Sequence, residues 1–169
     1  MPTDRIIKLN FDGCALGTPR QLGIGGLIRD HWNSIIRAYS KLVGDGFAIK
    51  AKVVALLEDL VEAKTLGLSN FVVQGDSIVV ISWVAKMERG LWRLDGWLCQ
   101  IFDIFTKLGW SIQWVLHSAN QVVDELAKRG AKQLISFVGD YLPPWVYLIF
   151  VLNVVSLFVI SLVCSVIWM

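Results

Sequence analysis

Three aspartates occupy positions where a carboxylate could do chemistry. Asp12 follows an apolar run in KLNFDG, Asp76 follows another in VQGDS, and Asp124 lies in the first turn of a helical pattern in NQVVDELAK. Taken alone, an aspartate after a strand is often only a turn former or a helix cap. The ends of adjacent strands are, however, where open sheets place their ligands. Three carboxylates gathered there would repel one another and would need a divalent cation to coexist.

The elements that must position these aspartates follow from the hydrophobic pattern. Three β-like runs come first, and helices then alternate with two further strands. Strands are predicted at Ile6–Asp12, Ile24–Arg29, Ile35–Leu42, Phe71–Gln74 and Trp110–Leu116, and helices at Ile49–Leu66, from Asp76 or Ser77 to Lys86, at Asp95–Leu108 and at Asn120–Ala131. This order predicts a five-stranded mixed sheet flanked by helices, in an α/β or α+β layered fold.

The motifs that hold the aspartates resemble those of one known family. KLNFDG, GIGGLIRD, AKVVALLEDLVEAKTLG, VQGDS and SANQVVDELAKRG stand in the order and approximate spacing of type 1 ribonuclease H. They look most like the plant reverse-transcriptase-like version found in retroelement-derived proteins, over about Lys8 to Gly130. The resemblance implies a ribonuclease H-like fold and a Mg²⁺-dependent endonuclease that cuts the RNA strand of an RNA–DNA hybrid.

The resemblance also implies roles for individual side chains. In that family four carboxylates hold two Mg²⁺ ions, which activate a water and stabilise the leaving oxygen. Asp12 would be the carboxylate shared by both metals, Asp76 the second ligand borne by a strand, and Asp124 a ligand near the attacking water. The fourth carboxylate belongs to the first helix, where the family pattern A-E-x-x-A-L reads AKVVAL here. Lys52 therefore replaces the glutamate, and the resemblance predicts an impaired metal site. The Lys52 ammonium could itself neutralise the aspartates, which would preserve the fold while displacing one metal.

Neighbouring residues do not obviously supply the missing carboxylate. Glu58 and Asp59 lie six and seven positions after Lys52, about 9 and 10.5 Å along a helix axis. A second departure is Trp114, which stands where the family often has a histidine that assists proton transfer. His117, three residues later, either reaches the mouth of the site or is an ordinary loop histidine.

The resemblance also implies contacts to nucleic acid. The family reads the shape of the hybrid through its backbone and the RNA 2′-OH, and the net charge of +2 is too small to argue for nucleic acid on its own. The candidates are the backbone near Gly13, the Ser77 hydroxyl, Asn120 and His117. Phosphate contacts, or simply a solvated face, are expected at Arg29, Lys41, Lys128 and Arg129.

The C-terminal residues have a different composition. Residues Tyr141–Met169 carry no charge, and mean hydropathy over the whole chain is +0.58. From Val146 on the run is long enough to cross a bilayer as a helix. We therefore predict a ribonuclease H-like domain over 1–140 and a hydrophobic tail over 141–169, with a transmembrane helix at 146–168. The basic residues before it place the domain on the cytosolic side.

Three functional hypotheses follow. The chain is a hybrid-cutting endonuclease, or a relative whose activity is weakened by Lys52 and Trp114, or a membrane-anchored binding module without catalysis. If the tail is instead a translated non-coding extension from an error in the gene model, the protein is expected in the cytoplasm or nucleus. Cys14, Cys99 and Cys164 are scattered and odd in number, which indicates reduced packing residues and not metal ligands or disulfides.

Overall fold

The computed structural model describes residues 6–108, 110–132 and 136–152. One sheet carries two layers of helices. Its strands are β1 (Ile7–Leu16), β2 (Gln21–Arg29), β3 (Ile35–Asp45), β4 (Phe71–Gly75), β5 (Ser111–Trp114) and β6 (Phe137–Gly139). The helices are α1 (Ala48–Thr65), α2 (Ile78–Ala85), α3 (Asp95–Leu108) and α4 (Gln121–Lys132), with short 3-10 turns at Trp92–Leu94 and His117–Asn120. Residues 144–152 are also helical.

The strands form a mixed sheet in the order β5-β4-β1-β2-β3-β6. β1, β2 and β3 are antiparallel neighbours, whereas β4 runs parallel to β1 and β5 parallel to β4. The predicted mixed sheet flanked by helices is therefore confirmed. The predicted number of five strands is wrong, because β6 adds an antiparallel edge beside β3. It has only three residues, too few to show an alternating pattern in the sequence.

The first strand is longer than predicted, which changes where Asp12 stands. β1 continues to Leu16 because its second half pairs with β2, with Asp12 opposite Gly25. Its parallel pairing with β4 ends at Asn10 opposite Gln74. Asp12 therefore lies inside β1, just past the point where β4 leaves it. That point lies at the carboxyl ends of β4 and β5, where an α/β sheet opens a crevice.

Two separate hydrophobic cores cover the two faces of the sheet. The first packs α1, α2 and α3 against side chains such as Leu9, Phe11 and Ile24, all at most 1% exposed. The second packs α4 against β2 and β3 and contains Leu27, Ala38, Val122, Val123, Leu126, Leu142 and Val146. Burial of these apolar side chains is what holds the helices to the sheet.

The glycines of GIGG let helices and side chains approach β2 closely on both faces. A Cβ at Gly23 would lie 2.0 Å from the carbonyl oxygen of Ala127, and one at Gly25 would lie 2.6 Å from its backbone nitrogen. On the opposite face, a Cβ at Gly26 would lie 2.1 Å from the Tyr39 ring. No side chain fits in these gaps, so the motif is explained by packing of α4 on one face and of Tyr39 on the other.

The beginning of the uncharged C-terminal run belongs to the second core. Leu142 is 6% exposed and Val146 is fully buried, both beside α4. Most of the predicted transmembrane helix, residues 153–168, lies outside the described residues. Within the described ranges, every helix is too short or too polar to cross a membrane.

Candidate functional site

The site lies where three elements meet at the edge of the parallel strands. β1 supplies Asp12, α1 supplies Lys52, and Asp76 follows β4 directly. A Cβ on Gly13 would lie 2.2 Å from the carbonyl carbon of Ala51, so the backbones of β1 and α1 are nearly in contact here. This close approach brings the side chain of Lys52 over Asp12.

Lys52 bridges the two strand-borne carboxylates. Its ammonium nitrogen donates to Asp12 Oδ1 and lies 2.9 Å from Asp76 Oδ1. The backbone N–H of Gly13 also donates to Asp12 Oδ1, at 2.8 Å. The Asp12 side chain is 3% exposed and that of Asp76 is 10% exposed, so the ion pairs are largely shielded from water.

Two further side chains reach Asp76, one from the last residue of β5 and one from the 3-10 turn after it. His117 Nδ1 lies 2.8 Å from Asp76 Oδ2, and the indole N–H of Trp114 donates to the Asp76 backbone oxygen at 3.1 Å. Of the two alternatives for His117, the structure shows the one in which it reaches the mouth of the site. The tryptophan that replaces the family's histidine is therefore also fixed against the site, with its ring about half exposed.

The third predicted carboxylate pairs with a lysine of its own helix. Asp124 lies in the first turn of α4 and pairs with Lys128, with 2.5 Å between Lys128 Nζ and Asp124 Oδ2.

Cys14 lies near both Asp12 and Asp124. Burial raises the pKa of its thiol to about 11, and both carboxylates add to the rise. The Cys14 thiol is therefore protonated at neutral pH.

The charges of the cluster stabilise one another. Burial disfavours the ammonium of Lys52, but the carboxylates of Asp12 and Asp76 outweigh it and raise the Lys52 pKa. Burial alone would raise the pKa of Asp76, but His117 and Lys52 outweigh it and lower that pKa. Burial raises the pKa of Asp12, and Lys52 opposes this rise. The site is a salt-bridged network centred on Lys52.

This donor set does not fit a pair of magnesium ions. An ammonium group has three N–H donors and no lone pair with which to bind a cation. It lies between Asp12 and Asp76, where a shared metal would have to bind both carboxylates. Among the described residues, no group of three or more His, Cys, Asp or Glu side chains is arranged to hold a metal ion. The predicted ligands Asp12, Asp76 and Asp124 are present, but Lys52 pairs with the first two and Lys128 with the third.

An amide network beneath the site was missed by sequence reasoning. Asn10 and Asn120 are 3% and 1% exposed. Asn120 donates to the Phe11 carbonyl oxygen at 3.0 Å, and Asn10 accepts from Arg29 Nη2 at 2.8 Å. A polar residue inside the apolar run KLNFD was the available signal, since buried amides need partners. The network ties the 3-10 turn before α4 to the strand that carries Asp12.

The predicted nucleic-acid contacts are placed in different surroundings. Asn120 is buried and positions the site from below, while the Gly13 N–H is used by Asp12. Ser77 caps α2 by accepting from the Val80 N–H at 3.4 Å, and His117 is the most exposed of the four candidates. The predicted phosphate contacts all have partners within the chain: Arg29 with Asn10, Lys41 with Glu58, Lys128 with Asp124, and Arg129 over the Trp145 ring.

The arrangement of motifs and fold matches a known family. The family model described as "Reverse transcriptase-like" matches residues 10–130, which includes Asp12, Lys52, Asp76 and Asp124. The chain belongs to the reverse transcriptase-like family. Ribonuclease H of Haemophilus influenzae (strain 86-028NP) is 28% identical over 145 residues, covering 75% of this chain and 90% of that protein.

Solved structures show that this member of the reverse transcriptase-like family has a ribonuclease H-like fold. RNase H1 from Halobacterium salinarum NRC-1 superposes with a TM-score of 0.69 at 22% identity, covering 75% of this chain and 97% of that one. LC11-RNase H1, solved in complex with an RNA/DNA hybrid, gives a TM-score of 0.66 at 20% identity, covering 75% and 96%. The recognition of a ribonuclease H-like domain is confirmed.

Proposed function

We propose that the chain is a nucleic-acid-binding domain that holds RNA–DNA hybrids and whose cleavage of the RNA strand is weakened. One observation carries the second half of this proposal. The Lys52 ammonium contacts both Asp12 and Asp76, in place of the cations that the family resemblance implies. The residues present do not fit a pair of Mg²⁺ ions, because an ammonium group lies between the two carboxylates.

Binding of a hybrid is supported by the family and by an exposed surface. The family relatives are named ribonuclease H, and one of the structural neighbours was solved with a hybrid bound. In this chain the loop after α2 exposes Trp92, and the Arg93 guanidinium lies 5.2 Å from the centre of its ring. Lys86 and Arg89 are exposed in the same loop. Exposed aromatic rings with nearby cations suit nucleic-acid backbones and bases.

The proposal is tested by restoring the carboxylate. In Mg²⁺, the full chain in mild detergent should cleave a labelled hybrid slowly, and Lys52→Glu should raise the rate by about two orders of magnitude, because it removes the competing cation and adds a ligand. Gel analysis of the RNA strand measures both rates.

Lys107→Glu is the matched control, since it makes the same charge change on α3. Lys107 is exposed and pairs with Asp103 away from the site. It should leave the cleavage rate within about twofold, because surface pairs contribute little. Robust cleavage by the unmodified chain, with no gain from Lys52→Glu, would contradict the weakened site.

The proposal includes one finer assignment, and one alternative function stands beside it. We place the chain in the plant retroelement-derived subgroup on its motifs KLNFDG and SANQVVDELAKRG. A second candidate function, a membrane-anchored binding module without catalysis, is favoured by the uncharged run Tyr141–Met169. In that case the domain faces the cytosol.

A further inference from the structure

The charges at the site are layered, with carboxylates below and nitrogen groups above. The side chains of Asp12 and Asp76 are 3% and 10% exposed, whereas those of Lys52 and His117 are 22% and 63% exposed. A molecule that approaches from solvent therefore meets the lysine and the histidine before it meets either carboxylate. This is the reverse of an open acidic site.

Both nitrogen groups keep capacity for another partner. The Lys52 ammonium has three N–H donors, of which Asp12 Oδ1 and Asp76 Oδ1 take two. Among the described residues no third acceptor contacts its Nζ. His117 turns Nδ1 towards Asp76, which leaves Nε2 at the opposite edge of a largely exposed ring.

The net charge of the cluster also repels an anion less than four carboxylates without their metal ions would. Asp12, Asp76 and Lys52 together carry about one negative charge at neutral pH. Four carboxylates without metal would carry about four and would repel a phosphate at this short range. The carboxylates here already have close cationic partners, so they need no divalent ion before a phosphate approaches.

We propose that Lys52 and His117 form a binding site for a backbone phosphate, so that the domain binds an RNA–DNA hybrid without divalent cations. Lys52 donates its remaining N–H to a phosphate oxygen while it holds Asp12 and Asp76, and the exposed edge of His117 contacts the same group. The inference rests on the proposed function, since it deepens how the hybrid is held.

Hybrid binding with and without Mg²⁺ tests this inference. The full chain in mild detergent is titrated into a labelled, uncleavable hybrid, in Mg²⁺ or in EDTA with ionic strength matched by salt. Fluorescence anisotropy should give the same Kd in both buffers within about twofold. Lys52→Met should weaken binding about tenfold in EDTA, since a hydrogen bond to a charged group is lost. Lys107→Met is the matched control and should bind like the unmodified chain.

Two further variants sharpen the result. Lys52→Glu should make binding depend on Mg²⁺, weak in EDTA and recovered when the ion is added. His117→Ala, at a side chain that is 63% exposed, should weaken binding about threefold in either buffer. If circular dichroism shows that Lys52→Met does not fold, the Kd values of the unmodified chain and of His117→Ala still test the phosphate site.

Each contrary result has a distinct meaning. A Kd of the unmodified chain that rises about tenfold in EDTA, or an unchanged Kd for both Lys52→Met and His117→Ala, overturns the phosphate site. Failure of the unmodified chain to bind hybrid in either buffer overturns the proposed function instead.

Discussion

Asp59 is the most unusual single residue of the first core. It is fully buried on α1, and its Oδ2 has no hydrogen-bond partner among the described residues. The Tyr39 hydroxyl lies 2.8 Å from Asp59 Oδ1 and 2.9 Å from the Ala55 carbonyl oxygen, yet it has one proton to give. Burial, with added repulsion from Glu58 and Glu62, raises the Asp59 pKa well above 3.8. Both contacts of the Tyr39 hydroxyl are hydrogen bonds if Asp59 is protonated. The carboxyl O–H of Asp59 then donates to the Tyr39 hydroxyl, and that hydroxyl donates to the Ala55 carbonyl oxygen.

This protonation makes the stability of the fold depend on pH at one position. The folded state binds the Asp59 proton more tightly than the unfolded state, whose pKa is near 3.8. The stabilisation is therefore complete below about pH 3.8 and is lost as pH rises towards the folded pKa. Asp59→Asn mimics the protonated acid at every pH. We expect it to raise the free energy of unfolding at pH 7 by at least about 1 kcal/mol, and by much less near pH 4.

Urea denaturation of both chains across this pH range measures the difference. Asp103→Asn is the matched control, because Asp103 is exposed on α3, and it should change stability by less than about 0.5 kcal/mol. A stability loss at pH 7 for Asp59→Asn would contradict a raised Asp59 pKa in the folded protein.

The helical residues 144–152 pack on the domain as part of its second core. Val146 is fully buried against α4 and β3, whereas Leu148 on the same segment is 67% exposed. Val146→Ala should lower the free energy of unfolding by about 2 kcal/mol, since it removes two buried methyl groups and leaves a cavity. Leu148→Ala should change it by less than about 0.5 kcal/mol. Equal effects in thermal denaturation would mean that the segment does not pack on α4 in solution.

The sequence predicted most elements because their apolar periodicity is strong. α1, α3 and α4 lie within a few residues of their predicted bounds, and Gly67 follows α1 with a positive φ of 64° as a C-terminal glycine should. β6 was missed, and β1 was ended too early, because strand pairing and not local composition sets those bounds. Asp12, Lys52 and Asp76, which the motif order places at one site, are in contact in the structure. Neutralisation of the aspartates by Lys52 followed from its charge alone. The contact of its ammonium with both carboxylates, and the pairing of Asp124 with Lys128, depended on side-chain directions that a one-dimensional pattern does not contain.

The membrane anchor predicted at residues 146–168 concerns the chain as a whole. If residues 146–168 contain a membrane anchor, the full chain should sediment with membranes and resist an alkaline wash. A chain ending at residue 152 should be released, because it keeps Leu142 and Val146 but loses the remaining apolar run. Immunoblotting of the two fractions measures this. Recovery of the full chain in the supernatant would contradict anchoring, and a mass-spectrometric peptide from residues 153–169 would show that the tail is translated.

The division of the fold into two cores has a consequence for local unfolding. Proteins open in cooperative units, and a small core opens at lower free energy than a large one. α4 and residues 144–152 are held by the smaller second core, while Asp12, Lys52 and Asp76 stand on β1, α1 and the end of β4, which the larger first core holds. Amides of α4 should therefore exchange with deuterium before those of α1. Such an opening would carry Asp124 and Lys128 away together and leave the Lys52 bridge intact.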